Sequence, residues 1–132
     1  LGEEGGSLTE MVRPFRLGVG GPIGSGRQWV SWVHRDDVVR LVLHALDTPT
    51  VAGPVNATAP EPVRQADLAR AIGRTLHRPC WLPVPRLALQ MAMGEVAAML
   101  VEGQRVIPGR ARASGFRFAH DDLDATLAGL LR

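Results

Sequence analysis

Before residue 79 the chain offers only two strand candidates, and a helix separates them. Arg27 to His34 holds Trp29, Val30, Trp32 and Val33, the aromatic and β-branched content of a strand. Val55 to Thr58 is the second candidate, bounded by Gly53-Pro54 and Ala59-Pro60. Between them Asp36 and Asp37 open a helix, where the N-terminal dipole favours acids. Val38, Val39, Leu41, Val42, Ala45 and Leu46 cover much of its surface, so it is expected to be largely buried. Strands joined through a helix need further parallel partners to make a stable sheet. The first half therefore reads as an α/β layer that another polypeptide segment must complete.

Other elements follow from spacing. Ser7 is placed to cap a helix with Glu10 completing a capping box; Leu8, Met11, Val12 and Phe15 fall at helical spacing, and Pro14 predicts a kink or an early end. Leu17 to Gly26 is dense in glycine and must be loop or tight turns. Ala66, Leu68, Ala69, Ile72 and Leu76 mark a helix over about 64–77, and Pro79, Pro83 and Pro85 hold the next stretch extended. Helical patterning returns from Arg86, through Leu87, Leu89, Met91 and Met93 and on to Val96, Ala97, Met99 and Leu100. Phe116 to Phe118 reads as a short strand, and Asp121 or Asp122 starts a last helix carrying Leu123, Leu127, Leu130 and Leu131. The pattern changes near residue 80, which divides the chain into 1–80 and a mostly helical 81–132.

Two absences limit the chemistry. Every one of the 15 basic residues is Arg, and there is no Tyr. A mechanism that needs a lysine amine or a tyrosine phenol cannot run on this chain alone. The single cysteine, Cys80, cannot form an internal disulfide. No run approaches about 18 apolar residues, so no membrane-spanning helix is expected. The acidic, glycine-rich start is unlike a secretory leader, and a cytoplasmic location is expected. With 5% aromatic residues, base stacking has little to use, which disfavours nucleic acid as a partner.

The glycine loop invites a phosphate reading. Gly21 to Gln28 has the outer glycine spacing of a P-loop, but Arg27 stands where the lysine belongs and a strand follows where a helix should. No G-x-G-x-x-G occurs, so the dinucleotide fingerprint is missing. Arg27, beside a glycine loop and a strand edge, is placed to hold a phosphate bidentately; the blander alternative is an ion pair with Asp36 or Asp37. Alternation along the strand puts Ser31 and His34 on opposite faces, against a local Ser–His pair. His34 with Asp36 is two metal ligands without a third nearby, so no metal is expected. Arg105, Arg110, Arg112 and Arg117 form either an anion site or, as the commoner case, a solvated face. Trp29, Trp32 and Trp81 fit core or interface better than a ligand cage.

A run of motifs resembles one family. Gly5-Gly6-Ser7-Leu8, Pro14 to Gly18, Gly21 to Trp29 with Ser31 to His34 and Asp36-Asp37, then Gly53 to Val63, are similar in order to the distal part of the nucleoside-diphosphate-sugar epimerase family. These are extended short-chain dehydrogenase/reductases. Arg78-Pro79, Pro83 to Pro85, Gly94-Glu95, Gly103 to Val106 and Gly115 to Phe118 continue the resemblance. It implies an α/β fold: the distal part of a Rossmann-like NAD(P)-binding fold in residues 1–80, bearing the substrate-binding region, then a small helical C-terminal domain in 81–132. It further implies NAD or NADP held by an N-terminal half absent from this chain, so that this segment should neither bind cofactor tightly nor turn over. The substrate implied is a nucleotide-sugar-like small molecule, contacted by Arg27 on its diphosphate and by Trp29, His34 and Asn56 along the cleft, with the Leu17–Gly26 loop as a mobile clamp. No catalytic residue is expected within this segment, and a homo-oligomer stays open. A different class of reading is a non-catalytic helical interaction module from a truncated or split chain.

Overall fold

In the computed structural model, which describes residues 1–3, 7–95, 98 and 101–132, the chain forms in order α1 (Ser7–Arg16), β1 (Trp29–Val30), α2 (Arg35–Asp47), β2 (Val63–Arg64), α3 (Gln65–Leu76), α4 (Arg86–Met93), α5 (Gly109–Ala113) and α6 (Leu123–Leu130). The periodic segments set the core. Leu8, Val12 and Phe15 from α1 pack with Leu68, Ala69, Ala71 and Ile72 from α3 and Leu127 from α6. Asp122 caps α6 by accepting from the Ala125 amide at 2.7 Å. Ser7 is itself the first helical residue rather than the cap, and α1 ends two residues after Pro14. α3 closes at His77, whose left-handed φ of 53° lets its amide return to the Arg74 carbonyl at 3.1 Å. Val96, Ala97, Met99 and Leu100, expected to be helical, lie outside the described residues.

The sheet departs from expectation. β1 is two residues long and pairs antiparallel with β2, Trp29 opposite Arg64 and Val30 opposite Val63. Val55 to Thr58 joins no ladder among the described residues; one bond, from the Ala59 amide to the Trp32 carbonyl at 2.7 Å, ties its end to the first segment. A strand exists only where a neighbouring backbone meets its donors and acceptors, and β2, delivered by the start of α3, reaches only Trp29 and Val30. Phe116 to Phe118 likewise forms no strand. Its phenylalanines meet edge to face at 4.9 Å, and Phe116 joins Leu41 and Ala111 in a second, smaller core.

α2 is also less buried than its sequence predicts. Only Asp37 and Leu41 are buried, while Val39, Val42 and Leu43 are more than half exposed and Leu46 is 76% exposed. Nothing among the described residues covers that apolar face. The glycine loop, by contrast, is stitched down. The Gly24 amide donates to the Val84 carbonyl at 2.9 Å, the Val84 amide to Pro22 at 2.8 Å and the Trp81 amide to Gly20 at 3.0 Å. Gly21 permits this approach, since a Cβ there would collide with the Leu82 carbonyl. The loop is thus bonded to the extended 81–84 segment along its length.

Candidate functional site

The sheet's one ladder puts Trp29 directly opposite Arg64, and the guanidinium carbon of Arg64 lies 3.7 Å from the centre of the Trp29 ring system. Arg105, from the far half of the chain, reaches over the same ring at 5.3 Å. The Arg64 side chain also donates to the Arg27 carbonyl at 2.5 Å, which fixes the backbone that carries Arg27. Arg27, Arg64 and Arg105 are all exposed, and none has an acidic partner among the described residues. The acids that could have neutralised Arg27 are committed elsewhere: Asp36 lies 3.8 Å from Arg35, and Asp37 2.7 Å from Arg40. Two guanidiniums without acidic partners over one indole, with Arg27 two residues before it on the same segment, make a positive surface suited to an anion with a flat or apolar neighbour.

Beside this surface the segment running into Arg105 comes close to the strand. Ser31 Oγ donates to the Gln104 carbonyl at 2.7 Å and accepts from the Val106 amide at 2.9 Å. Gly103 allows the contact, because any Cβ there would strike the Trp29 carbonyl. Sequence reasoning picked out Arg27 and Trp29 but not Arg64, whose position opposite Trp29 depends on a register that no local pattern shows. Of the arginines in 105–117, Arg105 is the one over Trp29, while Arg110 donates to the Ala52 carbonyl at 2.7 Å and clips the turn at Gly53, and Arg112 lines a different cleft beside Trp32, Arg74 and Asp122.

His34 and Asn56 are placed differently. His34 is 7% exposed and caps α2, its Nδ1 accepting from the Asp36 amide at 3.1 Å. Its ring stacks on His120 at 3.8 Å, and burial, followed by the neighbouring His120, pushes its pKa below the ordinary 6.5. Asn56 is exposed and makes no hydrogen bond to a described residue. A third potential metal ligand does arrive from far along the chain: His34, Asp36 and His120 hold ligand atoms within 4.8 Å of one another. The two rings are within 22° of parallel and His34 Nδ1 already serves the cap, so their lone pairs do not converge on one point. The deeper role here belongs to Asp37, which sequence reasoning took as a simple helix start. Fully buried, it accepts from the Ala119 amide at 3.0 Å and the His120 amide at 2.8 Å besides Arg40, and so bolts the C-terminal segment to α2.

The chain is 44% identical over 131 residues to the epimerase family protein YfhF of Bacillus subtilis, covering 99% of this chain and 43% of that protein. Over nearly its whole length it is similar to the C-terminal part of epimerase family proteins. Residues 84–130 match the family described as a domain of unknown function, DUF1731. Among solved structures, the human epimerase family protein SDR39U1, crystallised with NADPH, superposes with a TM-score of 0.92 at 40% identity, over 98% of this chain and 44% of that one. A nucleoside-diphosphate sugar epimerase from Corynebacterium glutamicum superposes with a TM-score of 0.74 at 27% identity, over 99% of this chain and 24% of that one. The chain therefore spans less than half the length of these relatives, and what it shares with their folds is mostly helix with a two-stranded sheet. No helix among the described residues is long and apolar enough to cross a membrane.

Proposed function

We propose that this chain is the substrate-side, C-terminal portion of an NAD(P)-dependent nucleoside-diphosphate-sugar epimerase or oxidoreductase, with residues 1–80 finishing a Rossmann-like fold and 81–132 forming a small helical domain. One observation carries the reading. Arg64 and Arg105 lie over Trp29, and Arg64 is bonded to the backbone of Arg27; none of the three has an acidic partner among the described residues, so their like charges repel unless an anion such as a diphosphate lies among them. The bare apolar face of α2 supports a docked upstream half. The Leu1 carbonyl accepts from the Arg35 amide at 2.8 Å, so polypeptide preceding Leu1 would enter beside that helix.

The chain's own residues do not fit a nicotinamide dinucleotide, lacking Tyr, Lys and a G-x-G-x-x-G. A nicotinamide cofactor bound by the rest of the protein would supply hydride removal and return at a sugar carbon. This chain's part is to bind and orient: Arg27 and its neighbours hold the diphosphate, and Trp29 walls the cleft. His34 acts through the α2 cap, positioning the segment rather than touching ligand. The bare α2 face would equally suit a separate partner, as in a non-catalytic helical module, and the same experiment separates the two. The complete reading frame is expressed beside residues 1–132, and NADPH and a nucleotide sugar are titrated into each. The epimerase reading expects tight NADPH binding in the complete protein only, and nucleotide-sugar affinity weakened at least about tenfold by Arg27→Ala, the loss of one charge-assisted pair. Micromolar NADPH binding by residues 1–132, or an Arg27→Ala protein indistinguishable from wild type, overturns it.

A further inference from the structure

Beside Trp29 lies a cavity of about 260 Å³, with Met11, Val30, Leu68 and Val106 in its apolar wall and Gln65 among its few polar groups. We propose that this cavity takes the pyrimidine base of the nucleotide and that Gln65 reads it, selecting a carbonyl over an amino group at the ring position opposite the ribose. Uracil and thymine carry that carbonyl; cytosine does not. The inference rests on the nucleoside-diphosphate reading above and names its base.

Gln65 opens α3 and is only 8% exposed. Its backbone amide donates to the Gln28 carbonyl at 2.9 Å, and its Oε1 accepts from the Ile23 amide at 2.7 Å. An N–H must face an oxygen, so the side-chain amide cannot be turned over, and its nitrogen is the end left without a partner among the described residues. No side-chain nitrogen or oxygen of a described residue is both sealed from water and unbonded, so Gln65 Nε2 reaches open space, and the cavity is the space that Gln65 lines. A donor fixed in a side chain this buried gains from a ligand oxygen. The other lining groups without a partner, the Gln104 amide and the Trp29 indole N–H, belong to less buried side chains, which makes Gln65 the deepest of the three.

Trp29 joins this cavity to the cationic surface, since it lines the one and carries Arg64 and Arg105 over its ring system in the other. A nucleotide whose phosphates meet those arginines enters with its ribose at the mouth. The edge that reaches furthest in is the one across the ring from the glycosidic nitrogen. That edge carries O4 in uracil and thymine, an acceptor matched to Gln65 Nε2, and an amino group in cytosine, which sets donor against donor. An apolar cavity of about 150 Å³ suffices for benzene, so this space holds a single ring with its carbonyl oxygens.

The test titrates four probes into the protein expressed from its complete reading frame: inorganic pyrophosphate and the diphosphates of uridine, cytidine and guanosine. Uridine diphosphate should bind at least about tenfold more tightly than pyrophosphate or cytidine diphosphate, the scale on which one buried donor gains or loses its acceptor. Gln65→Glu keeps an oxygen for the Ile23 amide and replaces the donor by an acceptor, so the preference should pass to cytidine diphosphate. Gln65→Met removes the donor, so uridine and cytidine diphosphates should bind about equally. Reading the ratio of these two cancels any effect of the new charge on the phosphates. In the wild-type protein, equal affinity for both or tighter binding of guanosine diphosphate overturns the base assignment, and uridine diphosphate binding no better than pyrophosphate removes the base from this cavity; each leaves the diphosphate reading standing. A preference for uridine diphosphate that both variants leave unchanged overturns the role of Gln65. Failure of all four probes to bind the wild-type protein overturns the diphosphate reading itself.

Discussion

Removing the Asp37 carboxylate should detach the C-terminal segment from α2. In the native state it is 0% exposed and accepts three hydrogen bonds: from Arg40 at 2.7 Å, the His120 amide at 2.8 Å and the Ala119 amide at 3.0 Å. Asp37→Ala leaves those donors without their acceptor. Arg40 is about half exposed, so water can re-solvate it and its lost pair contributes little. The two amides dominate. An unsatisfied buried donor costs about 1–3 kcal/mol, and because Ala119 is exposed and His120 half-buried the low end applies to each. The expected loss is about 2 kcal/mol, read as a lowered urea midpoint with an unchanged m-value by circular dichroism. Asp37→Asn keeps one acceptor oxygen and should lose roughly half as much. Hydrogen exchange supplies a local check, with the Ala119 and His120 amides losing protection before the α3 amides do. If Asp37→Ala costs less than about 0.5 kcal/mol, as an ordinary surface substitution does, Asp37 does not hold the C-terminal segment and the reasoning fails.

Two more outcomes follow from the same contacts. Because burial depresses the pKa of His34 in the folded state, the unfolded chain takes up the proton first; the stability this neutral cap contributes is present above pH 6.5 and is lost as the pH falls through the lowered folded value. Thermal melts between pH 7.5 and 5 should show a fall that His34→Asn, which can still cap α2 but does not titrate, reduces; an equal fall in both proteins refutes the assignment. Leu127 in α6 is 0% exposed against α1 and α3, so Leu127→Ala should cost about 2–5 kcal/mol in urea unfolding, and a cost under about 1 kcal/mol would mean that α6 does not share that core.

Much of the helical architecture could be read directly, because each helix announces itself within a few turns. Leu8, Val12 and Phe15, or Leu68, Ala69 and Ile72, mark the buried faces of α1 and α3 by spacing alone, and Asp122 marks the start of α6 as one of two adjacent candidates. Composition likewise settled that no lysine or tyrosine of this chain performs chemistry. The strands were legible only as apolar segments. Which backbone each would meet is a property of partners elsewhere in the chain or outside it, and so 55–58 was mistaken for a strand while Val63–Arg64 was not seen as one. The same limit hid the residues that matter most. Asp37 meets amides 82 and 83 positions away, and Arg105 reaches Trp29 across the whole of α3. Periodicity and capping are local physics that a sequence records in order, whereas satisfaction of a buried carboxylate or the gathering of like charges around one indole depends on through-space distances that only the folded chain sets.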